Sequence, residues 1–169
     1  KVKWHPVLLG VIFQATGSRP PADAVSSKGK YMLHDFARSA RHMGIPYNPP
    51  SRFPLPTQNA ARAYYWLHGQ DCALARRFAL AVYRGFFVDD LDISSPETVL
   101  EIAAKIGVDR NSLATALQSS EIKARLKDEC DAALKAGVFG SPHVIIDGEP
   151  FFGADRLPQI ERWLETGGF

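Results

Sequence analysis

Three short stretches carry the residues whose types and spacing could bind or turn over a ligand. The first is GVFGSPHVIIDG, residues 137–148. Here Pro142 stands at the mouth of an apolar, β-branched run. Proline has no N–H and is a poor member of a paired strand. A bend at Ser141–Pro142, cis or trans, leaves the backbone of Ser141 unpaired, and a free N–H and C=O at a strand end can bind an extended peptide by strand addition. The plainer reading is a proline that only starts a strand. The second stretch is GADRL, where Asp155 opens the last helix. A carboxylate there either caps the helix or pairs with a ligand ammonium. The third is ATGSRPP followed by SSKG. Gly17, Ser18, Pro20 and Pro21 make a stiff loop. Lys28, at the head of the next helix, is either a solvated surface charge or the partner of a ligand carboxylate.

The rest of the titratable inventory excludes several chemistries. His5, His34, His42, His68 and His143 have neither the i, i+4 spacing nor the cysteine neighbours of a metal site. His143 follows Pro142 and could face a cleft, although a packed strand histidine accounts for it equally. The cysteines are Cys72 and Cys130, neither in a C-x-x-C pair, and both are read as buried reduced thiols. No G-x-S-x-G, P-loop or G-x-G-x-x-G occurs. The chain has 169 residues, 46% of them hydrophobic, and a net charge of +2 with acids and bases interspersed. That suits one compact domain, or a core domain with a sizeable insertion, and offers no footprint for nucleic acid. No apolar run approaches the ~20 residues that span a bilayer, and HPVLLGVIF lacks a cleavage-site pattern. The expected compartment is cytoplasmic.

The elements that must position these residues follow from periodicity. KVKWHPVLL is read as a strand broken by Pro6, and the stretch after it as mostly loop. From Lys28 to Ala136 the pattern is helical. KGKYMLHDFARSARHMG repeats Met32, Phe36, Ala40 and Met43 on one face and closes at Gly44. Thr57 or Asn59 is placed to cap QNAARAYYWLHG, and Asp71 to cap CALARRFALAVYRGFF. Ser95–Pro96 starts another helix with Val99, Leu100, Ala103 and Ile106 in a stripe. Asp109 starts a short one, and Ser120 a longer one with Ile122, Leu126, Cys130 and Ala133 on one face. The period then changes to two. HVIID is a strand, Asp147–Gly148 a hairpin turn, EPFFG the return strand. A last helix presents Leu157, Ile160 and Leu164, with Pro158 in its first turn. Phe53, Trp66 and Phe86 are read as lining a pocket for an aromatic ligand or as ordinary core.

GVFGSPHVIIDGEPFFGADRL resembles the C-terminal signature of the 2-hydroxychromene-2-carboxylate isomerase family, thioredoxin-fold proteins related to the kappa class of glutathione transferases and to the DsbA-like proteins. VLLGVIFQATGSRPP and KGKYMLHDFARSARHMGIP resemble the corresponding segments of bacterial members, so the likeness runs from about Trp4 to Leu164. The resemblance implies an α/β fold: a thioredoxin-like domain, residues 1–27 and 137–169, interrupted by an all-helical insertion, residues 28–136. It implies glutathione as cofactor, a small aromatic substrate and a homodimer. In the family the glutathione thiol adds to a conjugated chromene, permits rotation and leaves, with no net redox change. Carried over by position, Ser141 precedes a cis proline, Pro142, and its backbone meets the cysteinyl part of glutathione. Asp155 matches the aspartate on the γ-glutamyl ammonium, and Lys28 a lysine near the glycyl carboxylate. Ala154 stands where some relatives have serine, and Ser18 where they often have asparagine. The thiol-activating serine of the family has no counterpart in this sequence and is expected upstream of Lys1, together with the strand that lies beside His143–Ile146. The expected activity is a glutathione-dependent cis-trans isomerisation of 2-hydroxychromene-2-carboxylate or a related aromatic-degradation intermediate. Alternatives are a kappa-class-like transferase, a DsbA-like thiol-disulfide oxidoreductase with its motif upstream, and a non-catalytic glutathione-binding protein.

Overall fold

A computed structural model describes residues 2–20 and 26–169. Pro21, read above as part of the stiff loop, lies outside them. The element order is α1 (Leu9–Thr16), α2 (Ser27–His42), α3 (Gln58–His68), α4 (Cys72–Phe87), α5 (Pro96–Lys105), α6 (Arg110–Gln118), α7 (Ser120–Lys135), β1 (His143–Ile146), β2 (Glu149–Phe152), a 3-10 turn (Ala154–Arg156) and α8 (Leu157–Thr166).

Local chemistry sets most of these boundaries. The carboxylates of Asp71 and Asp109 accept hydrogen bonds from the N–H groups of Ala73 and Ser112 at the starts of α4 and α6. Each satisfies a donor that the helix itself leaves free. Helix α7 starts at Ser120 as expected, and the residue before it, Ser119, caps it: the Ser119 hydroxyl accepts from Ile122 N–H. Neither expected cap of α3 operates. Thr57 makes no side-chain cap, and the Asn59 amide inside the helix donates to Ser94 C=O instead.

The opening strand is not formed. Residues 2–8 form no regular element, and α1 begins at Leu9. The segment finds its partners on side chains rather than on a neighbouring strand. Tyr64 and Tyr65 donate their hydroxyls to the carbonyls of Trp4 and Pro6 at 3.1 and 2.7 Å. Arg76 bonds to Val2 C=O and lies over the Trp4 ring. Leu8 N–H donates to Cys130 Sγ at 3.4 Å. His5 Nδ1 meets Glu129 at 3.0 Å. Ile12 is fully buried where α1 lies against α7.

The main core belongs to α3–α7, where Tyr64, Leu67, Phe78, Val82, Val99, Ile102, Leu113, Leu117, Leu126 and Cys130 form one cluster. Cys130 is buried as expected, but Cys72 is exposed, because it opens α4 at the edge of the bundle. The hairpin is a two-stranded antiparallel sheet pairing His143 with Phe152 and Ile146 with Glu149. Its turn residues, Asp147 and Gly148, both have positive φ (51° and 92°), as a two-residue hairpin loop of this twist requires. Side chains alternate across the sheet. Val144 and Phe151 face α8, where Phe151 meets Trp163 edge-on at 5.7 Å and Ile160 is buried. His143, Ile145, Pro150 and Phe152 face the other way. Of the expected α8 stripe only Ile160 is buried. Leu157 and Leu164 stay 49% and 66% exposed, because a hairpin of two four-residue strands covers only one line of the helix.

Candidate functional site

The residues singled out from the sequence fall into two groups. Ser141, Pro142, Ala154 and Asp155 come together where the hairpin begins and ends. The Ser141–Pro142 peptide is cis, and Pro142 C=O accepts a hydrogen bond from Gly153 N–H at 3.0 Å. This bond closes the pairing of β1 with β2 one step beyond the ladder and brings the 3-10 turn beside the proline. Ser141 is exposed, and among the described residues no hydrogen bond uses its backbone or its hydroxyl. The outer edge of β1 is likewise unpaired among the described residues, since the sheet contains β1 and β2 alone.

Gly153 explains where the Asp155 carboxylate lies. Its φ of 106° is a conformation that side chains rarely adopt, and a Cβ added there would overlap Asp155 Oδ1. The carboxylate therefore folds back over the backbone that bonds to Pro142. It caps nothing: neither the 3-10 turn nor α8 has a side-chain cap. Among the described residues its one ionic neighbour is Arg156 at 3.4 Å, with the Asp155 side chain 73% exposed. Such a pair contributes little to stability, which removes the capping explanation for this aspartate.

Ser18 and Lys28 lie on the α1–α2 side of the molecule. The Ser18 hydroxyl accepts from Thr16 Oγ1 at 3.0 Å just beyond α1. Lys28 is exposed at the second position of α2, whose first turn holds no acid. A cation there opposes the helix dipole, so local helix energetics do not call for it. Among the described residues no hydrogen bond or ion pair joins these two residues to the hairpin corner. The expected pocket aromatics divide: Phe86 is buried in the helical core, Phe53 stacks on it at 6.3 Å, and Trp66 packs against the same core.

His143 carries a signal that spacing alone did not resolve. It follows Pro142 directly, and both its ring nitrogens are buried without a hydrogen-bond partner among the described residues. Burial holds its pKa below the ordinary histidine value. Phe139 lies edge-on to it at 5.4 Å, and Phe152 lies tilted to it at 6.4 Å. Among the described residues no group of three or more His, Cys, Asp or Glu could hold a metal. Nor, among those residues, is any helix long and apolar enough to cross a membrane.

A block of helices followed by a cis proline opening a strand, a short antiparallel hairpin and a closing helix define a thioredoxin-like protein of the α/β class. The chain belongs to the family of the DSBA-like thioredoxin domain, whose model matches residues 1–165. It is 26% identical over 181 residues to glutathione S-transferase kappa 1 of Rattus norvegicus, covering 97% of this chain and 80% of that protein. It is 27% identical over 164 residues to 2-hydroxychromene-2-carboxylate isomerase of Sphingobium xenophagum, covering 96% and 82%. A solved structure of a 2-hydroxychromene-2-carboxylate isomerase superposes with a TM-score of 0.86 at 22% identity, covering 96% of this chain and 79% of that one. At that identity the superposition shows the shared fold.

Proposed function

We propose that the protein works with glutathione on a conjugated aromatic substrate, as an isomerase of 2-hydroxychromene-2-carboxylate or a related aromatic-degradation intermediate. The observation that carries this reading is the hairpin corner: an unpaired backbone at Ser141, with a carboxylate that has no capping role folded over Gly153 beside it. Those groups suit the two polar ends of a γ-glutamyl-cysteinyl unit. The Ser141 N–H and C=O pair with the cysteinyl backbone by strand addition, and Asp155 holds the ammonium. Ala154, in the same turn, offers backbone only. Lys28 supplies a cation for the glycyl carboxylate and Ser18 a hydroxyl on the same side. Glutathione supplies a thiol, the nucleophile the chemistry needs. No side chain among the described residues is assigned its activation. The working assembly in this reading is a cytoplasmic homodimer, with residues 1–27 and 137–169 forming the thioredoxin-like domain around the helical residues 28–136.

The test is titration calorimetry of glutathione into the protein and its Asp155→Asn variant. Asparagine keeps the shape and removes the charge. Affinity should fall by about 1–2 kcal/mol, the lower part of the range for charged hydrogen bonds because the carboxylate stays wet. Equal affinity would refute the assignment of Asp155. A second reading, a kappa-class-like transferase, is favoured by the similarity to the rat protein. The two part on product. Isomerisation of 2-hydroxychromene-2-carboxylate returns glutathione unchanged. Transfer to 1-chloro-2,4-dinitrobenzene forms a C–S bond, breaks the C–Cl bond and releases chloride and a proton.

A further inference from the structure

A backbone that is to pair with a ligand must be free of partners and yet fixed in place. Ser141 meets the first condition, and its neighbours show how the second is met. Val138 N–H bonds to Ala133 C=O at 3.0 Å, and Pro142 C=O accepts from Gly153 N–H at 3.0 Å. Between those two points, among the described residues, no backbone hydrogen bond ties down Phe139, Gly140 or Ser141. A side chain holds the segment instead. Gly140 is buried, and a Cβ there would lie 2.7 Å from Phe152 Cε2 and 3.1 Å from Phe152 Cζ. The edge of the Phe152 ring therefore rests on the bare Cα of Gly140, an approach that a side chain at 140 would block. Phe139 adds a second contact to the same ring, 4.6 Å between centroids. Phe152 is the last residue of β2, in register with His143, and the next residue is the Gly153 that bonds to Pro142. Ser141 is thus bracketed. The ring contact falls on the residue before it and the hydrogen bond on the residue after it, and both come from the dipeptide Phe152–Gly153. Two anchors around one residue remove its freedom before a ligand arrives, so that less ordering is left to be done on binding.

We propose that Phe152 is a positioning residue: seated on Gly140, its ring keeps the unpaired Ser141 backbone fixed for the peptide that adds to it. That the peptide is the cysteinyl part of glutathione rests on the reading given above.

The test compares the wild-type protein with Phe152→Leu, which removes the ring, and Gly140→Ala, whose methyl pushes the ring off its seat. Amide 15N relaxation is measured first, without ligand. The order parameter of Ser141 should be near the rigid value of about 0.85 in the wild-type protein and fall below about 0.6 in each variant. The Gly153 amide, held by Pro142 C=O, should stay rigid in all three. Glutathione titrated by calorimetry should then bind each variant about three- to tenfold more weakly, part of the effect of ordering one residue. The double variant should be little worse than either, because both changes break one contact. Ile145→Ala trims an exposed residue of the same hairpin face and should leave both the Ser141 order parameter and the affinity at wild-type values. A Ser141 amide already mobile in the wild-type protein, or rigid in both variants, would overturn the proposal. So would wild-type affinity in variants whose Ser141 has loosened. Equal loosening in Ile145→Ala would overturn it too, by making Phe152 one support of the hairpin among several. Loosening of Ser141 by both variants in a protein that does not bind glutathione would uphold Phe152 as the support of that backbone and reject the glutathione reading.

Discussion

Gly153→Ala tests the corner through its backbone. Gly153 has φ 106° and ψ 148°, a region open essentially to glycine alone. Forcing alanine into it costs about 1–3 kcal/mol. The new methyl also takes the place of Asp155 Oδ1, so the carboxylate must swing outward. That swing adds little, since the side chain is 73% exposed and its pair with Arg156 is a wet one. The Gly153 N–H to Pro142 survives, because alanine keeps the donor. Urea denaturation should therefore show a loss of about 1–3 kcal/mol with an unchanged slope. Asp155→Asn alone should leave the midpoint almost where it is. For glutathione the order differs. Each single variant should weaken binding to a similar extent, and the double variant should be little worse than either, because both changes remove the same carboxylate from the same place. That is a coupling between neighbours, readable from a double-mutant cycle. Two results would refute the reasoning. Wild-type stability in Gly153→Ala would mean that the chain relaxes to an ordinary φ. Additive binding losses would mean that Gly153 and Asp155 act separately.

Other consequences reach beyond the corner. Phe78 is 1% exposed in the helical core, and Phe78→Ala should lower stability by about 3–5 kcal/mol by chemical denaturation. Tyr65→Phe removes the donor to Pro6 C=O, should cost about 1 kcal/mol, and should speed proteolytic cleavage within residues 2–8. Burial pushes the Glu129 carboxyl up, but the hydrogen bonds from His5 and Arg125 outweigh it and hold its pKa below 4.5. Its folded value is thus depressed, so its stabilising contribution is complete above pH 4.5 and is lost as pH falls through the lower folded value. The stability gap between wild type and Glu129→Gln should close over that acid range and stay constant above it. A gap unchanged at low pH would count against the pairing.

Local signals in the sequence act over about four residues, and what they encode is what was legible. Asp71 and Asp109 cap helices because the N–H groups they satisfy lie two or three positions away. Pro96 opens α5 by its fixed φ, and Asp147–Gly148 turns the hairpin because both conformations are available to those residues. The proline–strand–turn–strand–turn order that places Pro142 near Asp155 is equally local, which is why the corner could be read from residues 137–155 as one run. Decisions made over long separations were not legible. Residues 2–8 look like a strand by composition, but Tyr64, Tyr65, Arg76 and Cys130 offer them side-chain partners about 60 to 120 positions away. Helix α1 was hidden by Gly10 and the β-branched Val11 and Ile12, and its burial of Ile12 against α7 supplies what propensity lacks. Asp155 has the residue type and position of a cap, and only the backbone of Gly153 shows that its oxygen points elsewhere. Cys72 and Cys130 stand in similar helical patterns, yet one is exposed and the other buried, since a helix pattern says which residues share a face and the packing of other helices decides which face is covered. His143 is the sharpest case: its place after Pro142 was plain, while only the tertiary structure shows that, among the described residues, its ring nitrogens are buried without partners beside Phe139 and Phe152.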